Sequence, residues 1–255
     1  MQGNVLNAAA VKGTVRSGRL KKAADLLETA MRTLFTLCGF IAVGFVVIIT
    51  VFLIISGVPA IKEIGVADFL FGTKWASTAA EPSFGILPFI LTSVYGTFGA
   101  ILIGVPVGIL CAVFAAKYTN GKTAALTRGL VGLMSGIPSV VYGLIGMIIV
   151  VPAVREIFGL PDGANLFSAV IVLSIMILPS VISVSETALR AVPKEYEEAS
   201  LALGATKTET VFKVTLPAAK SGILAAVVLG IGRAVGEAMA VMMVAGNQAV
   251  IPDGI

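Results

Sequence analysis

No charged side chain interrupts the chain between Arg32 and Lys62, and most residues in that stretch are apolar. The run exceeds the ~20 apolar residues a helix needs to cross the hydrocarbon of a bilayer. Uncharged runs of this kind alternate with short charged segments along the whole sequence, which is 57% hydrophobic and 13% charged. Its mean hydropathy is +1.02. A soluble domain carries about a quarter charged residues, so this chain lacks the means to cover itself with a polar surface. The expected fold class is all-α, a polytopic bundle of membrane-spanning helices.

The charge map predicts five spans: Leu34 to Ser56, a second from Leu87 within the uncharged run Pro82–Ala116, a third from Arg128 to Val151, a fourth from Leu166 to Ser185, and a fifth from Ser221 to Asn247, interrupted by Arg233 and Glu237. The first run is too long for the apolar region of a secretory signal, and no persuasive cleavage site follows it, so an uncleaved anchor is expected. Lysine and arginine set orientation. They concentrate before the first span (Lys12, Arg16, Arg19, Lys21, Lys22, Arg32), between spans two and three (Lys117, Lys122, Arg128) and between spans four and five (Arg190, Lys194, Lys207, Lys213, Lys220). The alternate connections hold only Lys62 and Lys74, or Arg155. This asymmetry predicts a cytoplasmic N-terminus and cytoplasmic second and fourth connections. Residues 1–33 are then an N-terminal cytoplasmic segment, and 34–255 a transmembrane domain carrying a cytoplasmic loop at 190–220.

Composition also excludes chemistry. The chain has no histidine, and its two cysteines, Cys38 and Cys111, both lie in apolar runs without a CxxC pair. A zinc or haem site, a His-based proton pathway and a membrane hydrolase are all disfavoured. No cofactor, no catalytic residue and no nucleic-acid partner are expected. Gly121-Lys122-Thr123 echoes the end of a phosphate-binding loop, but Ala116 stands where its first glycine is required and an apolar helix precedes it instead of a strand. ATP binding by that route is excluded.

Helices in lipid associate through small residues. Gly104/Gly108, Gly132/Gly136 and Gly232/Gly236 predict three close-approach faces, and Pro106, Pro138 and Pro179 predict kinks within spans. Arg233 and Glu237 are intramembrane charges, each costly enough to be a functional candidate. Their four-residue spacing predicts one helix face, where they can pair. Two roles follow: an ion pair that locks helices together, or a pair that opens when an entering anion takes the Arg233 guanidinium, whose fork of donors suits an oxyanion.

The stretch from Val192 to Ser221 predicts two short helices at an angle. Pro193 opens the first, which runs from Lys194 to Leu203. Gly204 ends it with a left-handed residue. Thr206 and Glu209 form a T-x-x-E capping box for the second, and Pro217 stops that helix. Glu198-Ala199-Ser200, Gly204 and Val214-Thr215-Leu216-Pro217 resemble, in residues and spacing, the EAA loop of ABC importer permeases. Ser200 stands in place of the second alanine, and Val214 in place of the isoleucine. The resemblance implies a type I permease fold and a loop that docks on a separate ATPase dimer, with Glu198, Ala199, Gly204, Leu216 and Pro217 shaping the docking element. It also implies six spans, of which the sixth is not visible here.

Ser135 to Leu144 (SGIPSVVYGL) and Leu229 to Val241 (LGIGRAVGEAMAV) are similar to the third and fifth spans of phosphate permeases of the PstC type, as is Phe69 to Trp75. This implies phosphate as substrate, passage past Arg233 and Glu237, and a bacterial inner-membrane location. It further implies a PstA-type second permease and an extracytoplasmic phosphate-binding protein as partners, besides the ATPase and membrane lipid. An ABC permease for molybdate or sulfate, and a transporter driven by an ion gradient, are the alternative readings.

Overall fold

The structure, a computed structural model, describes residues 3–247, with side chains from Asp25 onward. The side chains of Lys12 to Lys22 that enter the orientation argument, and the end of the transmembrane domain at 255, lie outside the described residues. The chain forms two compact units, residues 1–66 and 67–255. The first is a single long helix, α1 (Gly3–Ile64), which runs without a break through the boundary expected at residue 33. Its uncharged part is apolar on every side, as a lipid-facing span requires.

The second unit opens with α2 (Val66–Phe71) and a short hairpin, β1 (Trp75–Ala76) paired antiparallel with β2 (Ser83–Phe84). The Trp75 indole packs edge-on against Phe84 and Phe89, ring centroids 5.6 Å apart in each case, and so seats the hairpin on the start of the next helix. That helix is α3 (Leu87–Val113), which continues into a π-helical turn at Phe114–Tyr118. Then come α4 (Gly121–Gly136), α5 (Ser139–Ile145), a second π-helical turn (Gly146–Val150) and α6 (Val151–Phe158). The remaining helices are α7 (Leu166–Arg190), α8 (Lys194–Ala202), α9 (Lys207–Thr210), α10 (Leu216–Ala218), α11 (Lys220–Val235) and α12 (Met239–Val244). A third π-helical turn, Val211–Thr215, joins α9 to α10.

The centre of the unit is α7, packed between α3 and α11. A methyl group placed on Gly104 would lie 2.7 Å from Ile177 Cδ1, and one on Gly108 2.7 Å from Val181 Cγ1. These glycines therefore let the α3 backbone approach α7 to a distance that no side chain would permit. The other two predicted faces meet no other helix among the described residues. A methyl at Gly132, Gly136 or Gly232 meets no neighbouring helix among the described residues. Gly143 and Gly146 instead carry an unforeseen contact, facing Ala240 and Met243, and Val172 and Val244.

Two spans differ from expectation. The third is not continuous from Arg128 to Val151: Ile137 and Pro138 are extended, at ψ 125° and 144°, so α4 ends at Gly136 and the membrane-length segment is Ser139–Phe158. Pro138 thus separates two helices instead of kinking one, because proline disfavours the helical conformation in the residue before it. The Tyr142 hydroxyl bridges the break by donating to Met134 O at 2.8 Å, a carbonyl in the last turn of α4 that also accepts from Ile137 N at 3.3 Å. The fifth span is also divided. Gly236 to Ala238 interrupt it between α11 and α12; ahead of the span, the loop segment Lys207–Ala218 meets Lys220–Val235 at 71°.

Candidate functional site

Two regions hold the residues singled out by sequence. The first is the loop between α7 and α11. Pro193 precedes α8 in an extended conformation, and Gly204 follows it at φ 87°. Only glycine takes that φ without a steric cost, so the turn can form immediately after Leu203. The predicted capping box is present: Thr206 N donates to Glu209 Oε2 at 3.0 Å and Glu209 N donates to Thr206 Oγ1 at 3.3 Å. Hydrogen bonds from the Thr206 backbone and hydroxyl, together with Lys213, lower the Glu209 pKa from 4.5 to about 2.

The loop has an inner and an outer side. Val192, Val211 and Ala219 are buried in one apolar cluster with Ala112 and Val113 of α3 and with Ile182 and Leu189 of α7, and Leu216 packs against it. Ser200 and Thr210 hydroxyls, 2.9 Å apart, tie α8 to α9. On the outer side Glu198, Ala199, Gly204 and Pro217 are exposed, and Leu203 is 90% exposed beside them. Four of the five predicted docking residues therefore share the outer side, while Leu216 anchors the inner one. Sequence reading missed Lys117, Glu197 and Thr215, which are linked by an ion pair and a hydrogen bond. The hint was the adjacency of Glu197 and Glu198 on a helix, where successive residues point about 100° apart.

The second region surrounds the break between α11 and α12. Arg233 and Glu237 do not pair, contrary to their i, i+4 spacing, because the helix ends at Val235 and Glu237 lies beyond it. Arg233 Nη1 donates to Ser180 Oγ of α7 at 3.1 Å. Glu237 Oε1 accepts from Ala240 N at 2.9 Å and so caps the start of α12. The two charges serve different spaces. Arg233 lines a groove of about 770 Å³ with Ser180 and Ser221 amid Leu224, Val228 and Leu229, and is the one charged residue lining it among the described residues. Glu237 lines a narrower cleft, about 60 Å³, with Thr92, Ser93 and Thr97 of α3. A guanidinium beside one hydroxyl, that of Ser180, in a mainly apolar groove is suited to hold an oxyanion, because each donor is worth more where water is scarce. Among the described residues no group of His, Cys, Asp and Glu is arranged to hold a metal ion.

Residues 104–254 match the model of the family described as "Binding-protein-dependent transport system inner membrane component". The chain is 40% identical over 231 residues to the probable ABC transporter permease protein YqgH of Bacillus subtilis, covering 90% of this chain and 75% of that protein. It is 34% identical over 213 residues to the phosphate transport system permease protein PstC of Mycobacterium leprae, covering 76% of this chain and 66% of that one. An inward-facing structure of the MetNI methionine ABC transporter aligns over 60% of this chain and 68% of its own at 28% identity, with a TM-score of 0.48. With its helical bundle of membrane-length spans and its match through the loop and the divided fifth span, this chain belongs to the family of inner-membrane permease components of binding-protein-dependent ABC importers.

Proposed function

We propose that this chain is the PstC-type transmembrane subunit of an ATP-driven phosphate importer. It forms half of the translocation pathway and pairs with a PstA-type permease, an ATPase dimer and an extracytoplasmic phosphate-binding protein. ATP hydrolysis belongs to the ATPase, and this chain contributes no catalytic residue. Residues 1–33 face the cytoplasm, and residues 34–255 form the permease domain with its cytoplasmic loop at 190–220. The N-terminal lysines and arginines support that orientation.

The observation that carries the reading is the two-sided loop. Its inner side is buried against α3 and α7, while its outer side exposes Glu198, Ala199, Leu203 and Gly204. A rigid element of this kind converts closure of an ATPase dimer into movement of spans; a floppy linker would dissipate it. Phosphate as cargo is supported by PstC proteins among the relatives and by the lone guanidinium of the Arg233 groove. In this reading Arg233 meets the anion, and Glu237 holds the helix break that keeps the guanidinium exposed to the groove. A groove of that chemistry also accepts molybdate or sulfate, so competition among oxyanions belongs in the test. Labelled-phosphate uptake is measured in cells that lack their own PstC-type subunit and express this chain with its cognate partners. Uptake that disappears with Gly204→Asp supports the reading. Labelled molybdate or sulfate taken up while labelled phosphate is not overturns the choice of cargo, and loss of ATPase association in the parent overturns the ABC coupling.

A further inference from the structure

The connection between α3 and α4 grips the loop at points that docking on an ATPase leaves unexplained. Lys117 Nζ donates to Glu197 Oε1, and Thr215 Oγ1 donates to the same oxygen at 3.3 Å. One carboxylate thus joins the end of α3, the middle of α8 and the turn before α10. Next to it the Tyr118 and Thr208 hydroxyls lie 3.3 Å apart, and Lys207 Nζ sits 4.9 Å above the centre of the Tyr118 ring. On the other flank Arg190, at the end of α7, donates through Nη2 to Ala115 O at 2.7 Å and through Nε to Glu186 Oε1 at 2.9 Å. Ala115 O is among the carbonyls that a helix end leaves without an intrahelical partner.

The covalent chain links the loop to α7 through Ala191–Pro193 and to α11 through α10, but it gives the loop no local connection to α3. Eighty residues separate Lys117 from Glu197. Motion of the loop therefore reaches α3 through packing, by way of α7 and the apolar cluster around Val192 and Val211, and through the polar link at Lys117. The Lys117 and Glu197 side chains are 13% and 26% exposed, and Thr215 is fully buried. A charge pair so enclosed is directional, and removal of either partner strands the other charge. The exposed neighbour, Glu198, is left for the ATPase.

We infer that Lys117, Glu197 and Thr215 are positioning residues, a strut that makes the end of α3 move with the coupling loop, so that displacement of the loop by the ATPase is delivered to the α3–α7 glycine interface. The inference rests on the coupling role proposed above. Adjacent glutamates then divide the work: Glu198 faces the motor and Glu197 faces the span.

The test uses the assembled complex in lipid nanodiscs and liposomes, with Lys117→Glu, Glu197→Lys and the charge-exchanged double variant. Each single variant is expected to keep its ATPase subunits but to transport about tenfold less per ATP hydrolysed, within the range by which single residues alter coupling between sites. The double variant is expected to recover most of the loss, which general destabilisation would not permit. Equal transport per ATP in the single variants, or no recovery in the double variant, overturns the strut; so does loss of ATPase association, which would place the pair in docking. A spin-label distance between Cys111 and Glu195→Cys, in a Cys38→Ser background, reads the strut without reference to substrate. The parent is expected to give one narrow distribution with and without ATP, and Lys117→Glu a broadened one. An equally narrow distribution in the variant overturns the inference even if phosphate proves not to be the cargo. Absence of phosphate uptake by the parent, with the distances behaving as expected, overturns only the choice of cargo.

Discussion

Arg233 and Ser180 join α11 to α7 across 3.1 Å, and the guanidinium at this junction is, among the described residues, the one charge lining a mainly apolar groove. Because the hydroxyl engages Nη1, other donors of the fork stay available to a second acceptor. Arg233→Gln is expected to reduce phosphate uptake by about tenfold to a hundredfold, the worth of a hydrogen bond to a charged group, with membrane insertion unchanged. Ser180→Ala, which frees the guanidinium but leaves its charge, is expected to cost only a few-fold. Uptake assays at matched expression decide; unchanged uptake in Arg233→Gln would leave the residue a structural tie between helices.

Gly204 stands at φ 87° with open space around the position of a side chain. Substitution is therefore resisted by the backbone and not by crowding. A non-glycine residue in the left-handed region costs roughly 1–2 kcal/mol, enough to shift the end of α8 and its outer side. Gly204→Asp is expected to abolish uptake while leaving insertion intact, and Gly204→Asn, which tolerates that conformation better, to retain part of it. Equal loss in both variants would point to the docking surface and away from the turn.

The α3–α7 contact makes a contrasting pair of predictions for stability. Gly108→Leu drives a side chain into Val181 and is expected to destabilise the isolated chain by about 1–3 kcal/mol, the usual range for overpacking. Gly132→Ala meets no neighbouring helix and replaces the poorer helix former, so it is expected to leave stability unchanged or slightly raised. Thermal melting of both variants in one detergent checks the pair.

Glu209 supplies a pH prediction at the cytoplasmic loop. Its pKa is depressed from 4.5 to about 2, first by the Thr206 backbone and then by the Thr206 hydroxyl and Lys213. A depressed carboxylate contributes its stabilisation above the unfolded pKa and loses it as pH falls toward the folded one. The cap of α9 is thus expected to hold at neutral pH and to weaken between about pH 4.5 and 2. Carboxyl-carbon NMR of the full chain, labelled at glutamate, follows the titration. Thr206→Ala removes the hydroxyl but keeps the backbone donor, so it is expected to move the Glu209 midpoint only part of the way back toward ordinary values; an unmoved midpoint would remove the hydroxyl as a cause.

How much was legible in the sequence differs between regions for a physical reason. Wherever a local rule acts alone, reading and structure agree. The uncharged run after Leu87 and the run from Leu166 form α3 and α7, because hydrocarbon leaves an apolar backbone no other choice than a helix. Pro193, Gly204 and the Thr206–Glu209 box place α8 and α9, because each acts within four residues of chain. The exposed turn that carries Glu198, Ala199 and Gly204 was legible for the same reason, through spacing.

What the tertiary structure decided is which of several locally allowed partners each group takes. Gly104/Gly108 and Gly132/Gly136 are the same pattern in sequence, yet only the first finds a helix opposite it among the described residues. Arg233 and Glu237 satisfy the spacing rule for an ion pair. Ser180, from another helix, instead meets the guanidinium, and the break at Gly236 turns the carboxylate to the start of α12. Nothing in the spacing of Lys117 and Glu197 joins them, since a contact spanning eighty residues is made by the packing of α3 and α7 and not by the chain between. Sequence determined where the membrane runs and where the loop bends; packing determined which charges face one another.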